Sequence, residues 1–176
     1  MPTATYGKPL FSKADIQKKV AELGDKITKD YKGESLLMVG VMKGAFVFMA
    51  DLSRAVGIPI SVDYLGLSAF EARSKGRGAV RITSDLNENI FGKNVLVVED
   101  IINSGLTMEY ITATLRARSP KSLKVCTLLD KIGKRRAEFT PDYVGFTIPD
   151  RYVVGYGLDY QDQYRNLPYI AVLGEE

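Results

Sequence analysis

From Val95 to Thr107 the chain passes from an apolar run, through a pair of acids, to a polar turn and the start of a helix. Val95, Leu96, Val97 and Val98 are apolar and mostly β-branched, the composition of a strand buried on both faces. Glu99 and Asp100 follow at once. After Ile101 and Ile102 comes a turn of small polar residues, Asn103, Ser104, Gly105 and Thr107, which leads into a helical pattern. That succession suits a phosphorylated sugar bound with Mg²⁺. Backbone N–H groups and hydroxyls of the turn can hold a phosphate at the helix N-terminus, where the helix dipole favours negative charge. The two acids can face the sugar or its metal, because hard cations take oxygen ligands.

Bulk properties narrow the possibilities. A length of 176 residues fits one domain with a sizeable core. The chain has no histidine, which excludes His-based zinc sites and Ser-His-Asp chemistry. Its single cysteine, Cys126, rules out an internal disulfide, and a cytoplasmic setting is expected. A net charge of +3 is too small to argue for nucleic acid. No apolar run is long enough to span a membrane, and neither a signal peptide nor a membrane partner is expected.

Ser12 and Asp15 have capping-box spacing, and Ile16, Val20, Leu23 and Ile27 recur at helical spacing, which predicts a helix ended by Gly33. Strands are predicted at 36–41 and 60–65, with a turn at Met42, Lys43 and Gly44 and a helix over 46–56 between them. Residues 68–78 read as a mobile basic loop, and 79–82 as a returning strand. Met108, Ile111 and Leu115 form a helical stripe ended by Ser119 and Pro120. Further strands are predicted at 123–129, 143–146, 153–154 and 169–173. Strands alternating with helices imply an α/β domain with a mainly parallel sheet. Ligands then bind beyond the carboxyl ends of the strands, so Lys43 and the segment 99–107 are expected on one rim.

Several residues admit two readings. Lys43, before Gly44 and a helix, is either an exposed turn lysine or a cation placed for pyrophosphate. Lys131, after Asp130, reads by itself as a surface charge at a strand end. Tyr152 reads as an aromatic packed in the core. Cys126, among apolar neighbours, reads as a small buried hydrophobe. The basic cluster Lys131, Lys134, Arg135 and Arg136 carries no interleaved aromatic residues, so it reads as a solvated loop with Lys131 as the exception, and no nucleic acid is expected.

The segment 95–107 resembles the ribose-phosphate signature of the type I phosphoribosyltransferases: an apolar strand, Glu-Asp, two aliphatics, Asp-Thr-Gly, any residue, Thr. Lys43 and Gly44 are similar to the pyrophosphate loop of the purine-salvage branch. The stretch 150–160 with Arg165 resembles the hypoxanthine-guanine branch, and the resemblance runs from Leu36 to Leu167. It implies the type I phosphoribosyltransferase fold: α/β, a mainly parallel central sheet flanked by helices, and a small hood subdomain from the chain ends. It also implies one domain over residues 1–176 with a mobile active-site loop at about 68–78.

The activity implied is purine salvage: transfer of the 5-phosphoribosyl group from phosphoribosyl pyrophosphate to a 6-oxopurine, hypoxanthine or guanine, giving IMP or GMP and pyrophosphate. Mg²⁺ is the implied cofactor, held by Glu99, Asp100 and Asp159, partly through water. Glu99 and Asp100 would lie near the ribose, and Ser104, Gly105, Leu106 and Thr107 around the 5-phosphate. Lys43, Gly44 and Arg165 would hold pyrophosphate. Lys131, Tyr152, Val153 and Asp159 would bind the purine, with Tyr152 stacked over it. A homodimer or homotetramer is implied by the resemblance alone.

Two positions depart from the family pattern. Asn103 stands where the family carries the Asp assigned to take the purine N7 proton. An amide cannot accept that proton at neutral pH, but its oxygen can receive the N7 hydrogen bond. Losing a positioned base costs roughly 10²- to 10⁴-fold in rate, so a slower enzyme is expected. Ala69 and Phe70 stand where the family has Ser-Tyr, leaving an aromatic lid without its hydroxyl. Two other readings stay open: a xanthine-preferring phosphoribosyltransferase, and a catalytically weakened regulator that binds nucleotide or phosphoribosyl pyrophosphate.

Overall fold

The computed structural model describes residues 6–70, 79–133 and 135–174. In chain order these form β1 (Tyr6–Phe11), α1 (Lys13–Asp30), β2 (Leu36–Met42), α2 (Phe46–Ala55), β3 (Ile60–Phe70) and β4 (Ala79–Ser84). There follow β5 (Asn94–Ile102), α3 (Leu106–Arg116), β6 (Ser122–Lys131), β7 (Tyr143–Ile148), β8 (Val153–Val154) and β9 (Ile170–Leu173).

β2 and β5 lie at the middle of a six-stranded sheet of order β4-β3-β2-β5-β6-β7. All neighbours run parallel except β3 and β4. Side-chain alternation along a strand explains why 36–39 of β2 and 95–98 of β5 are apolar at every position. Leu36, Met38, Leu96 and Val98 join α1 and α2 in one core layer, whereas Leu37, Val39, Val95 and Val97 join Met108, Ile111 and Leu115 of α3 in the other. Cys126 is fully buried in the first layer, as its neighbours suggested.

The capping box forms as read: Asp15 N–H donates to Ser12 Oγ at 3.2 Å, and Ser12 N–H to Asp15 Oδ2 at 2.9 Å. α1 ends at Asp30 with Tyr31 as its cap, ahead of Gly33, whose φ of +80° turns the chain into β2. α3 likewise ends at Arg116, before Ser119 and Pro120.

The chain ends meet in a second, three-stranded antiparallel sheet of order β1-β9-β8, the expected hood. Its first strand was not expected. Tyr6–Phe11 contains Gly7 and Pro9 and no clean alternation, and its pairing depends on β9, more than 150 residues away in sequence. The predicted loop also needs correction at its start. Ser68, Ala69 and Phe70 belong to β3 and pair with Arg81, Val80 and Ala79 of β4. The antiparallel partner supplies the backbone bonds that weak local strand propensity does not. The rest of that predicted loop, 71–78, falls outside the described residues.

Candidate active site

β5 does not stop at its acids but continues to Ile102, beside β6. Glu99 lines a pocket with Val41, Leu67, Met108 and the turn 103–107. Asp100 lines an adjoining pocket with Lys131, Tyr152, Val153, Leu158 and Asp159. Ile101 and Asn103 border both, so the two hollows are halves of one cleft. The adjacent acids thus serve different halves, a division that follows from alternation along the strand.

Glu99 is 8 % exposed. Burial, and then the neighbouring Asp100 charge, push its carboxyl well above the usual range. Asp100 is held by Ile101 N–H, which donates to Oδ1 at 2.8 Å. Its other oxygen lies against Gly44, in space a side chain at that position would fill. The Gly44 carbonyl is in turn covered by Gly157. The loop after β2, the end of β5 and the loop after β8 therefore meet on one rim.

The polar turn begins α3. Gly105 takes φ +82° and ψ −11°, a left-handed conformation that glycine adopts without steric cost. Leu106 N–H points to Ser104 Oγ at 3.5 Å, while the Leu106 side chain is turned partly to solvent. The Ser104 carbonyl accepts from Arg136 N–H at 2.9 Å and Ala137 N–H at 3.1 Å. Arg135 is paired with Asp130, and a Cβ at residue 105 would lie 3.1 Å from its Cδ. The solvated-loop reading of the basic cluster is therefore corrected at Arg135, which packs on the turn. Lys134 lies outside the described residues.

Lys131 is the last residue of β6 and is not a surface charge: its side chain is only 10 % exposed, with Nζ 3.5 Å from Asp150 Oδ1. Tyr152 is not a core aromatic either. It is 55 % exposed, meets Tyr160 edge-on at 5.7 Å, and donates its hydroxyl to the Asp159 carbonyl at 3.3 Å. A buried ammonium beside an open aromatic face, with the Val153 backbone between, is a setting for a flat polar ring. Lys43, from the loop after β2, and Arg165, from the loop after β8, both reach Asp162. Arg165 donates from Nη1 to the Gly157 carbonyl at 2.8 Å, and its Nη2 pairs with Asp159 Oδ1 at 2.7 Å.

Residues 10–161 match the phosphoribosyl transferase domain family. The chain belongs to the phosphoribosyltransferase family. This phosphoribosyltransferase is 46 % identical over 166 residues to the hypoxanthine-guanine phosphoribosyltransferase of Bacillus subtilis, covering 94 % of this chain and 92 % of that one. A crystal structure of a hypoxanthine-guanine phosphoribosyltransferase from Bacillus anthracis, with HEPES in its active site, superposes with a TM-score of 0.92 at 43 % identity, covering 96 % and 99 % of the two chains. A structure from an analysis of an invariant aspartic acid in HPRTs, the asparagine mutant, superposes with a TM-score of 0.90 at 39 % identity over 96 % of this chain and 93 % of that one.

Among the residues named from sequence, this phosphoribosyltransferase brings Asp100, Asn103, Lys131, Tyr152, Val153 and Asp159 to one half of the cleft, and Glu99, Asn103, Ser104, Gly105 and Thr107 to the other. Lys43 and Arg165 stand together at the rim. Ala69 and Phe70 are placed by backbone alone, in β3. Sequence reasoning missed Ile101 and Leu158, which line the half that holds Lys131 and Tyr152, because aliphatic residues in apolar surroundings read as core. It also missed Asp162, an acid in a polar loop whose importance lies only in what the fold places beside it. Tyr156 was missed as an anchor: its hydroxyl donates to Asp51 Oδ2 at 2.6 Å and ties the loop after β8 to α2.

Proposed function

We propose that this chain is a hypoxanthine-guanine phosphoribosyltransferase that joins a 6-oxopurine to the ribose 5-phosphate of phosphoribosyl pyrophosphate and releases pyrophosphate. The observation that carries this reading is Lys131, an ammonium almost buried in the pocket that Tyr152, Val153 and Leu158 share with Asp100, Asn103 and Asp159. An ammonium donates and cannot accept, so it favours the exocyclic oxygen of hypoxanthine or guanine and disfavours the amino group of adenine.

The other half of the cleft suits the sugar phosphate. The turn at 104–107 offers N–H groups, two hydroxyls and a helix N-terminus to the 5-phosphate. Glu99 and Asp100 stand between that turn and the purine pocket, near where the ribose hydroxyls would lie. Among the described residues no group of three or more His, Cys, Asp or Glu is arranged to hold a metal by itself. Mg²⁺ commonly takes one or two carboxylates together with substrate oxygens. The oxygen donors Asp100 and Asp159, on one pocket wall, fit that pattern, and a bound Mg²⁺ would neutralise charge on the departing pyrophosphate.

In the transfer, purine N9 bonds to the anomeric carbon as the bond from that carbon to the pyrophosphate oxygen breaks. Asn103, at the junction of the two halves, is placed to receive the N7 hydrogen in its amide oxygen and so align N9. It does not take the proton, which passes to solvent through the open side of the cleft. The Asp100 carboxylate stabilises cationic character at the sugar carbon, and Lys43 and Arg165 stabilise the leaving pyrophosphate.

A cytoplasmic location and a homodimer or homotetramer form part of this proposal. Among the described residues no helix is long and apolar enough to cross a membrane. Competition binding of the five common bases, with and without phosphoribosyl pyrophosphate, tests the purine assignment. Hypoxanthine and guanine are expected to bind; preferential binding of adenine would exclude the role given to Lys131.

A further inference from the structure

The two cations assigned to pyrophosphate are not bare in the free chain. Asp162 lies between them: Lys43 Nζ donates to its Oδ2 at 3.0 Å and its Oδ1 at 3.3 Å, and Arg165 Nη2 donates to Oδ1 at 3.1 Å. Its own N–H donates to Asp159 Oδ2 at 2.9 Å, which fixes the start of the loop. Gln161 and Asp162 take φ of +52° and +62°, the left-handed region that non-glycine residues visit at a steric cost.

This cost has no obvious return in stability. The Asp162 side chain is 65 % exposed and that of Lys43 71 %, and ion pairs in such solvent-facing positions contribute little to folding. What the arrangement does is place carboxylate oxygens within reach of both Lys43 and Arg165, as two phosphate oxygens would be. The Lys43 hydrogen bond, followed by that from Arg165, holds the carboxyl below its usual range, so the group is charged at neutral pH.

We infer that Asp162 is a displaceable internal counter-ion, which occupies Lys43 and Arg165 in the free enzyme and must yield them for the pyrophosphoryl group to bind. It is a positioning residue that acts through those two cations and touches neither the purine nor the reacting carbon. A single weak anion gains too little to replace it, whereas a pyrophosphoryl group offers several oxygens at once and displaces it from both cations. The substrate class is therefore selected partly by competition within the protein. This inference rests on the assignment of Lys43 and Arg165 to pyrophosphate made above.

The test is Asp162→Asn, which keeps the size and one acceptor of the side chain and removes the charge. Calorimetric titration with inorganic pyrophosphate and with Mg²⁺-phosphoribosyl pyrophosphate is compared with steady-state kinetics. Loss of an exposed competing pair is expected to tighten both ligands about two- to fivefold. KM for phosphoribosyl pyrophosphate is expected to fall by the same factor while KM for the purine stays unchanged, and affinity for inorganic phosphate is expected to rise. A purely structural role would instead lower the melting temperature and move both KM values together. If the wild type binds these ligands and Asp162→Asn binds them equally or more weakly, the counter-ion role is overturned. If the wild type binds neither pyrophosphate nor phosphoribosyl pyrophosphate, the functional reading falls, and this inference with it.

Discussion

The carboxylate of Asp100 occupies the place a side chain on Gly44 would take. A Cβ at residue 44 would overlap its Oδ2 and lie 3.0 Å from its Oδ1. Glycine is needed here for close approach rather than for an unusual backbone angle. The contact joins the loop after β2, proposed to hold pyrophosphate, to the end of β5, whose acids are proposed to face the ribose.

Gly44→Ala is therefore expected to push Asp100 or the loop out of position. A displacement of about an ångström at reacting groups costs on the order of a hundredfold in rate, and kcat/KM for phosphoribosyl pyrophosphate should fall by about that much. Purine binding at the far wall should change little. Steady-state kinetics with each substrate varied in turn checks this; an unaffected kcat/KM would show that the contact has no role.

Glu99 gives a pH dependence with a definite sign. Its folded pKa is raised above the ordinary 4.5, chiefly by burial and then by Asp100, so the folded chain holds a proton that the unfolded chain has released. That contribution to stability is complete below the unfolded pKa and is lost as pH rises through the folded one. Glu99→Gln resembles the protonated form at every pH. The melting temperature of the variant minus that of the wild type should therefore grow as pH rises from the ordinary 4.5 through the raised folded value. A difference that is constant across this range would mean that Glu99 is not held protonated.

Lys131→Gln replaces an obligate donor with an amide that can also accept. A hydrogen bond from a charged group contributes about 1.5–3 kcal/mol, so kcat/KM for hypoxanthine and guanine should fall roughly tenfold to a hundredfold. Adenine turnover, relative to hypoxanthine, should rise. Initial rates with the three bases measure both effects, and an unchanged ratio would remove Lys131 from base selection.

The central layers were legible because their signals are local and dense. The runs 36–39 of β2 and 95–98 of β5 are apolar at every position, which a strand covered on both sides requires, and the α1 capping box is complete within four residues. Lys131 and Tyr152 were harder to read. Nothing in their neighbours says that one is buried and the other open, and the family resemblance alone singled them out. β1 and the end of β3 owe their form to partners far along the chain. The contacts of Gly44 with Asp100, and of Asp162 with Lys43 and Arg165, join segments separated by 56 and 119 residues or lie within one turn, and their meaning appears only once the loops share a rim.

The most direct test is nucleotide formation from phosphoribosyl pyrophosphate, Mg²⁺ and each of hypoxanthine, guanine and xanthine, measured for the wild type beside Asn103→Asp. Slow formation of IMP or GMP by the wild type is expected. An increase in kcat of about 10²-fold or more is expected when the carboxylate is placed at the junction of the two half-pockets. If neither protein turns over any purine while both still bind phosphoribosyl pyrophosphate or nucleotide, the chain is a binding protein built on an enzyme's fold, and the proposed activity is wrong.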